Sequence, residues 1–268
     1  MSKNVWISGV LCFVLFSGCA LTPKKTQKEK VVAEPVPLVA IYSETPVVVD
    51  GKLEDPVWSY TPVYNLSLSK EEEAKGTIFQ EKGEVRAAWD KNYLYIGIKF
   101  YDSDIVQEET EDQKHFYRTG DLVEIFLKPE ESTWYWEIYG TPNSKKTVFW
   151  FPGRGRIGLP SGFEPEVELK DMLIGVQIKG TLNKWEDRDD YWTLEIAIPT
   201  RELTRYGDTF GPGSEWRVLI ARYNYSRYLS WKELSMYPKI SLTNYHLIEE
   251  YGKLILETKI LHESNSTK

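Results

Sequence analysis

The sequence predicts an all-β protein, an antiparallel β-sandwich with a few short helical turns. Short segments of alternating apolar and polar residues recur along the 268 residues, turn residues separate them, and no long stretch keeps a helical period. The first candidate strand is the β-branched run Val47–Val49, and a helical turn follows at Asp55–Trp58. Glu84–Trp89 and Tyr93–Tyr101 are separated by the turn sequence Asp90-Lys91-Asn92, which makes them a hairpin. Leu122–Leu127 is β-branched and aromatic and is stopped by Pro129. Tyr135–Tyr139, Thr147–Phe151 and Leu173–Lys179 continue the pattern. Tyr191–Ile198, a helical turn at Arg201–Leu203, Trp216–Tyr223 and Lys253–Leu256 complete it. Two connections are long, Asp102–Thr119 and Pro152–Lys170, and long loops in a compact β domain often carry function.

The chain opens with Lys3 and an apolar run, Val5–Phe16, too short to span a bilayer and followed by small residues. Residues 1–18 therefore read as a secretory signal. Phe16-Ser17-Gly18-Cys19 resembles a bacterial lipobox, which implies cleavage before Cys19, acylation of that cysteine and, with Ala20 next, passage to the outer membrane. Residues 19–38, with four lysines and three prolines, read as an extended tether. The sandwich is expected over 39–258 and a polar tail over 259–268. With Cys12 removed and Cys19 lipidated, no disulfide and no cysteine metal site is expected.

A net charge of −7 argues against nucleic acid as a partner. GRGRIG, Gly153–Gly158, matches a dinucleotide fingerprint, but the prolines after it forbid the helix such a site needs. The three histidines fit no zinc motif, and no serine elbow is present. No cofactor is expected. Calcium is conceivable on the acidic run Asp102, Asp104, Glu108, Glu109, Glu111 and Asp112, against the plainer reading of a solvated charge run.

The aromatic count of 10 Trp, 17 Tyr and 10 Phe says more. Flat aromatic faces stack on sugar rings, and sugar hydroxyls want carboxylates, amides and guanidinium groups. Side chains on a strand alternate faces. Glu124 then shares a face with Leu122 and Phe126, Glu137 with Tyr135 and Tyr139, and Glu195 with Tyr191, Thr193 and Ala197. A carboxylate on an apolar face is costly unless it is paired or used. If the three strands are neighbours, they make a carboxylate surface among aromatics. Otherwise these glutamates are ordinary ion-pair partners on an outer face.

The segments VDGKLEDPVW (49–58), VRAAWDKNYLYIGIKFYD (85–102), GDLVEIFLKP (120–129), YWTLEIAIP (191–199), LSWKEL (229–234) and NYHLIEEYGKLIL (244–256), in this order, resemble the family 9 carbohydrate-binding modules. The resemblance covers roughly residues 40–257. It implies an antiparallel sandwich that binds sugars without cleaving them. In the best-known branch two tryptophans clamp a terminal sugar. One clamp position falls here on Arg118, with Tyr117 and Phe116 just before it, and the other on Tyr245. The family's strand glutamate matches Glu124. The expected binding residues are thus Phe116, Tyr117, Arg118, Glu124, Glu137, Asn244 and Tyr245, with Cys19 as the lipid anchor. The expected partners are a saccharide and, through the lipid, a membrane. The competing readings are a glycosidase on Glu124 and Glu137, a haem-binding sandwich using Met172, Met236, His115 or His246, and a structural envelope protein without a sugar.

Overall fold

The computed structural model of the protein describes residues 34–153 and 167–258. The signal segment, Cys19, most of the tether, the GRGRIG stretch beyond Gly153 and the end of the tail lie outside the described residues. The strands are β1 (Leu38–Tyr42), β2 (Tyr64–Asn65), β3 (Gly83–Trp89), β4 (Tyr93–Tyr101), β5 (Leu122–Pro129) and β6 (Tyr135–Gly140), then β7 (Lys146–Phe151), β8 (Leu173–Lys179), β9 (Tyr191–Pro199), β10 (Trp216–Asn224), β11 (Glu233–Tyr237) and β12 (Gly252–Glu257). Among the described residues, helix is limited to α1 (Lys70–Ala74), α2 (Thr200–Leu203) and three 3-10 turns. This is the all-β sandwich that the alternation predicts.

The hydrogen-bonded path runs β7-β6-β5-β10-β12-β1-β3-β4-β9-β8, with β11 on β10 and β2 on β3. Pairing is antiparallel except at β1, which lies parallel to both β12 and β3 and so joins the two limbs. One core lies between the limbs. Val123, Ile125 and Leu127 of β5 and Trp136 and Ile138 of β6 pack there with Ile96 and Ile98 of β4 and Leu194, Ile196 and Ile198 of β9. The period-2 alternation of each strand decides this, because it sends every second side chain to the same face.

Several local expectations need correction. Val47–Val49 joins no strand: the Val48 N–H goes to the Asp55 carboxylate at 3.2 Å, and its carbonyl takes the Asp50 N–H at 2.8 Å. A β-branched run was the right composition, but a tight local turn takes its backbone groups before a ladder can. Conversely β1, β2, β11 and α1 were not anticipated. β11 does alternate, with Leu234 on one face, but it is short and holds Glu233, a residue that favours no strand. That carboxylate earns its buried position by accepting the Gln80 and Glu81 N–H groups at 2.7 and 3.0 Å.

Candidate functional site

Of the three strand glutamates, two meet and one stands apart. Glu195 of β9 faces Gly97 of β4 on one side and Gly175 of β8 on the other. A Cβ on Gly97 would sit 2.6 Å from Leu53, and one on Gly175 would sit 2.5 Å from the Val49 carbonyl. Both glycines therefore let the 49–53 loop settle onto the sheet. Glu195 fastens it, accepting the N–H groups of Asp50, Gly51 and Leu53 at 2.9, 2.7 and 3.2 Å and the Trp58 indole N–H at 2.8 Å. The surface of three carboxylates is thus corrected to two, and Glu195 is a structural clasp on the far limb.

Glu124 and Glu137 lie on the outer face of the other limb. Glu124 stands opposite Tyr139 of β6 and Ala221 of β10, while Glu137 stands opposite Phe126 of β5 and Phe149 of β7. The two carboxylates are therefore diagonal neighbours, and the small Ala221 leaves room beside Glu124. With Tyr139, whose hydroxyl donates to Glu137 Oε1, they form the floor of a cavity of about 510 Å³.

Aromatic rings encircle that floor. Tyr245 meets Tyr223 at 5.8 Å between centroids, Tyr223 meets Tyr117 at 5.9 Å, and Tyr117 meets His115 at 5.7 Å. On the other side His115 stacks on Phe149 at 5.3 Å, Phe149 on Phe151 at 6.0 Å, and Phe151 meets His246 at 6.0 Å. His246 follows Tyr245 in the chain, which closes the collar. The wall rises from the 3-10 turn Phe116–Arg118 and from the 243–246 loop, both lying over the sheet face.

Burial and the neighbouring Glu137 hold the Glu124 carboxyl well above the usual carboxylate range. Burial, then the carboxyls, likewise push the Tyr139 and Tyr223 hydroxyls up, and burial and Glu124 do so for Tyr245. All three phenols are therefore fixed hydrogen-bond donors. Burial depresses the His246 pKa, so the imidazole is neutral at pH 7. Its Nδ1 sits 2.7 Å from the Tyr135 hydroxyl and 3.9 Å from Glu137 Oε2. Chemically, this is a half-open cup of aromatic faces over carboxyl acceptors and phenolic donors.

Tyr117, Glu124, Glu137, Asn244 and Tyr245 all line this one cavity. Two expected residues do not. Phe116 is fully buried behind the wall, 6.4 Å from the Tyr139 ring, because the 3-10 turn points it into the apolar layer. Arg118 points outward and lies over Tyr117 at 5.3 Å. Tyr245 is only 6% exposed, and Asn244 spends its Oδ1 on the His246 N–H at 3.1 Å. Sequence reasoning missed Tyr223, Phe149, Phe151 and the two histidines as cup residues. Alternation on β7 could have found Phe149 and Phe151, since each faces a residue of the Glu137 face on β6.

The remaining candidates fall elsewhere. In the acidic loop, Asp102 pairs with Arg222 at 3.0 Å, Asp104 with Arg227 at 3.6 Å, Glu111 with Lys114 at 2.9 Å and Asp112 with Lys146 at 3.5 Å. Among the described residues no three such side chains converge to hold a metal ion. Met172 is in the main core and Met236 in the layer beneath the cup, both buried.

Comparisons with known proteins bear on the fold and the family. A carbohydrate-binding module of family 9 from Caldicellulosiruptor kristjanssonii, solved with cellotriose, has the same fold at a TM-score of 0.53 and 13% identity, covering 86% of this chain and 97% of its own. The structure with glucose gives 0.53 and 13%, with coverages of 84% and 99%. A candidate carbohydrate-binding protein from Bacteroides uniformis reaches 0.62 at 13% identity, covering 82% of this chain and 98% of its own. No curated protein matches the sequence. The model of the "Carbohydrate family 9 binding domain-like" family matches residues 49–207. Since that match spans more than half of the chain and includes the strands that bring Glu124 and Glu137 together, the protein belongs to this family.

Proposed function

We propose that the cup binds a saccharide without cleaving it, and that Cys19 anchors the protein by lipid to the bacterial envelope, at the outer membrane. The observation that carries the binding is the convergence of Tyr117, Tyr245, Glu124 and Glu137, distant in sequence, on one cavity. Aromatic faces stack on the C–H faces of a sugar ring, while the carboxyls and phenols take its hydroxyls. The glucose and cellotriose complexes of the Caldicellulosiruptor kristjanssonii module support the ligand class. A binding role is also what the floor allows. Glycosidases flank the scissile bond with two carboxyls, whereas Glu124 and Glu137 rise from adjacent strands of one sheet and meet a ligand from the same side. The anchor rests on the sequence of residues 1–19, and acyl labelling that persists in Cys19→Ala would refute it.

The test of binding uses Tyr117→Ala. Tyr117 is half-buried at the rim of the cup, and its backbone carbonyl, which accepts the Tyr225 hydroxyl at 2.5 Å, is kept in the variant. The variant should fold and lose roughly tenfold or more in affinity for sugars, the stacking being worth about 1–2 kcal/mol. Calorimetry of the purified protein against mono- and oligosaccharides measures it. Unchanged affinity in Tyr117→Ala, or no sugar bound by the wild type at millimolar levels, would refute the reading. Tyr245→Ala is the poorer probe, because that buried ring packs on Phe126 and Tyr223 and its loss costs roughly 3–5 kcal/mol of packing.

A further inference from the structure

Outside the cup two tryptophans stand almost bare. Trp185 is 74% and Trp231 is 77% exposed, whereas Trp58, Trp89, Trp136, Trp192 and Trp216 are at most 4% exposed. A large ring left in water forgoes the stabilisation of burial, and clustered exposed aromatics mark binding surfaces.

Both rings sit on loops that are held in place and held to each other. Trp231 lies in the 225–232 hairpin between β10 and β11, the strands that give Tyr223 and Leu234 to the cup. Its neighbour Lys232 places Nζ over the Tyr223 ring at 5.0 Å, and the Tyr225 hydroxyl donates to the Tyr117 carbonyl at 2.5 Å. The hairpin therefore continues the cup wall outward. Trp185 lies in the 180–190 loop between β8 and β9. This loop is tied to the hairpin tip, because the Asp187 carbonyl accepts from the Arg227 guanidinium and, at 3.3 Å, from the Tyr228 hydroxyl. The Arg188 and Arg227 guanidinium groups also lie over the Tyr228 ring, at 4.6 and 4.8 Å. The Ser226 and Ser103 hydroxyls share a further hydrogen bond at 3.1 Å.

Neither tryptophan lines the cavity, so a single sugar in the cup leaves both rings unused. A saccharide chain leaving the cup over the hairpin uses them. Each further unit offers a C–H face to an indole and hydroxyls to the donors of the exposed Arg188. Because the two loops are already tied together, the chain meets a surface that needs little ordering.

We propose that the ligand is a saccharide chain rather than a single sugar, with one unit in the cup and later units stacked on Trp231 and Trp185 along the β10–β11 hairpin. This rests on the saccharide reading above and extends it beyond the cavity.

The experiment is calorimetry of the purified protein with glucose, xylose and mannose, each as the single sugar and as its β-1,4-linked hexamer. The expected result is at least one hexamer bound about tenfold or more tighter than its single sugar, the return of added stacking contacts. That advantage should fall to about threefold or less in the double variant Trp185→Ala, Trp231→Ala, whose folding is checked by its unfolding transition. Hexamers bound no tighter than their single sugars overturn the proposal and leave the saccharide reading standing. A length advantage that survives in the double variant overturns the assigned platform. No binding of any of these ligands overturns both.

Discussion

Replacing Arg222 with methionine is expected to cost roughly 3–5 kcal/mol of stability at pH 7 to 8, the usual penalty for stranding one partner of a buried ion pair. For a domain of this size that lowers Tm by on the order of 10 °C. Arg222 is fully buried on β10. It donates to Asp102 at 3.0 Å, to the Asn224 side-chain oxygen at 2.9 Å and to the carbonyls of Glu81 and Lys82 at 3.1 and 3.4 Å. Asp102 also accepts the Trp192 indole N–H from the opposite limb, at 3.2 Å. The pair therefore ties both halves of the sandwich together. Burial, opposed by Arg222, pushes Asp102 up to about 6. Its folded-state pKa thus exceeds the unfolded value of roughly 4, so the folded state holds the extra proton, and stability falls as pH rises between these values. Without Arg222 the carboxyl is harder still to ionise. The penalty should be smaller near pH 4, where Asp102 in the folded state is protonated with or without Arg222, and should grow above pH 6. Urea unfolding of both proteins across this range measures it. A penalty that does not grow with pH would contradict the assignment.

Glu124→Gln should act in the opposite direction on stability and remove binding. The substitution keeps the shape and replaces a carboxyl whose ionisation burial and Glu137 oppose with a group that never ionises. We expect a gain of roughly 1–3 kcal/mol at pH 7 to 8, because the wild-type folded state must hold a proton that the unfolded chain has released, together with a loss of sugar affinity of roughly thirtyfold or more. The sign follows from the raised folded-state pKa: the wild type loses stability as pH rises above the ordinary carboxyl pKa of roughly 4.3, and the variant lacks that loss. The two should unfold alike near pH 4 and separate above it. A site that costs stability in order to bind is the expected signature of function. A variant less stable than wild type at neutral pH would mean that Glu124 holds the fold together.

The strand faces were legible in the sequence because alternation is local. Leu122, Glu124 and Phe126 do face outward, and Val123, Ile125 and Leu127 do fill the core. The fates of the glutamates were not legible. Glu195 has the same alternation as Glu124, yet it binds a loop, because Gly97 and Gly175 on two other strands open the space for that loop. Nothing within β9 encodes this. The 116–118 segment shows the same limit at short range. Adjacent residues in a 3-10 turn point about 120° apart, so Phe116, Tyr117 and Arg118 could not all enter the cup, and the turn admits only Tyr117. Tyr223 went unmarked because only the pairing of β10 with β5 places it beside this face.

The central claim is that a sugar sits on the outer face of the β5–β6 sheet, over Glu124 and Glu137. A crystal structure of the protein with a bound saccharide tests this most directly. The account predicts a sugar ring within the collar of Tyr117, Tyr223 and Tyr245, with its polar groups on the two carboxyls. A sugar found instead on the exposed Trp185 or Trp231, with the cup empty, would contradict it.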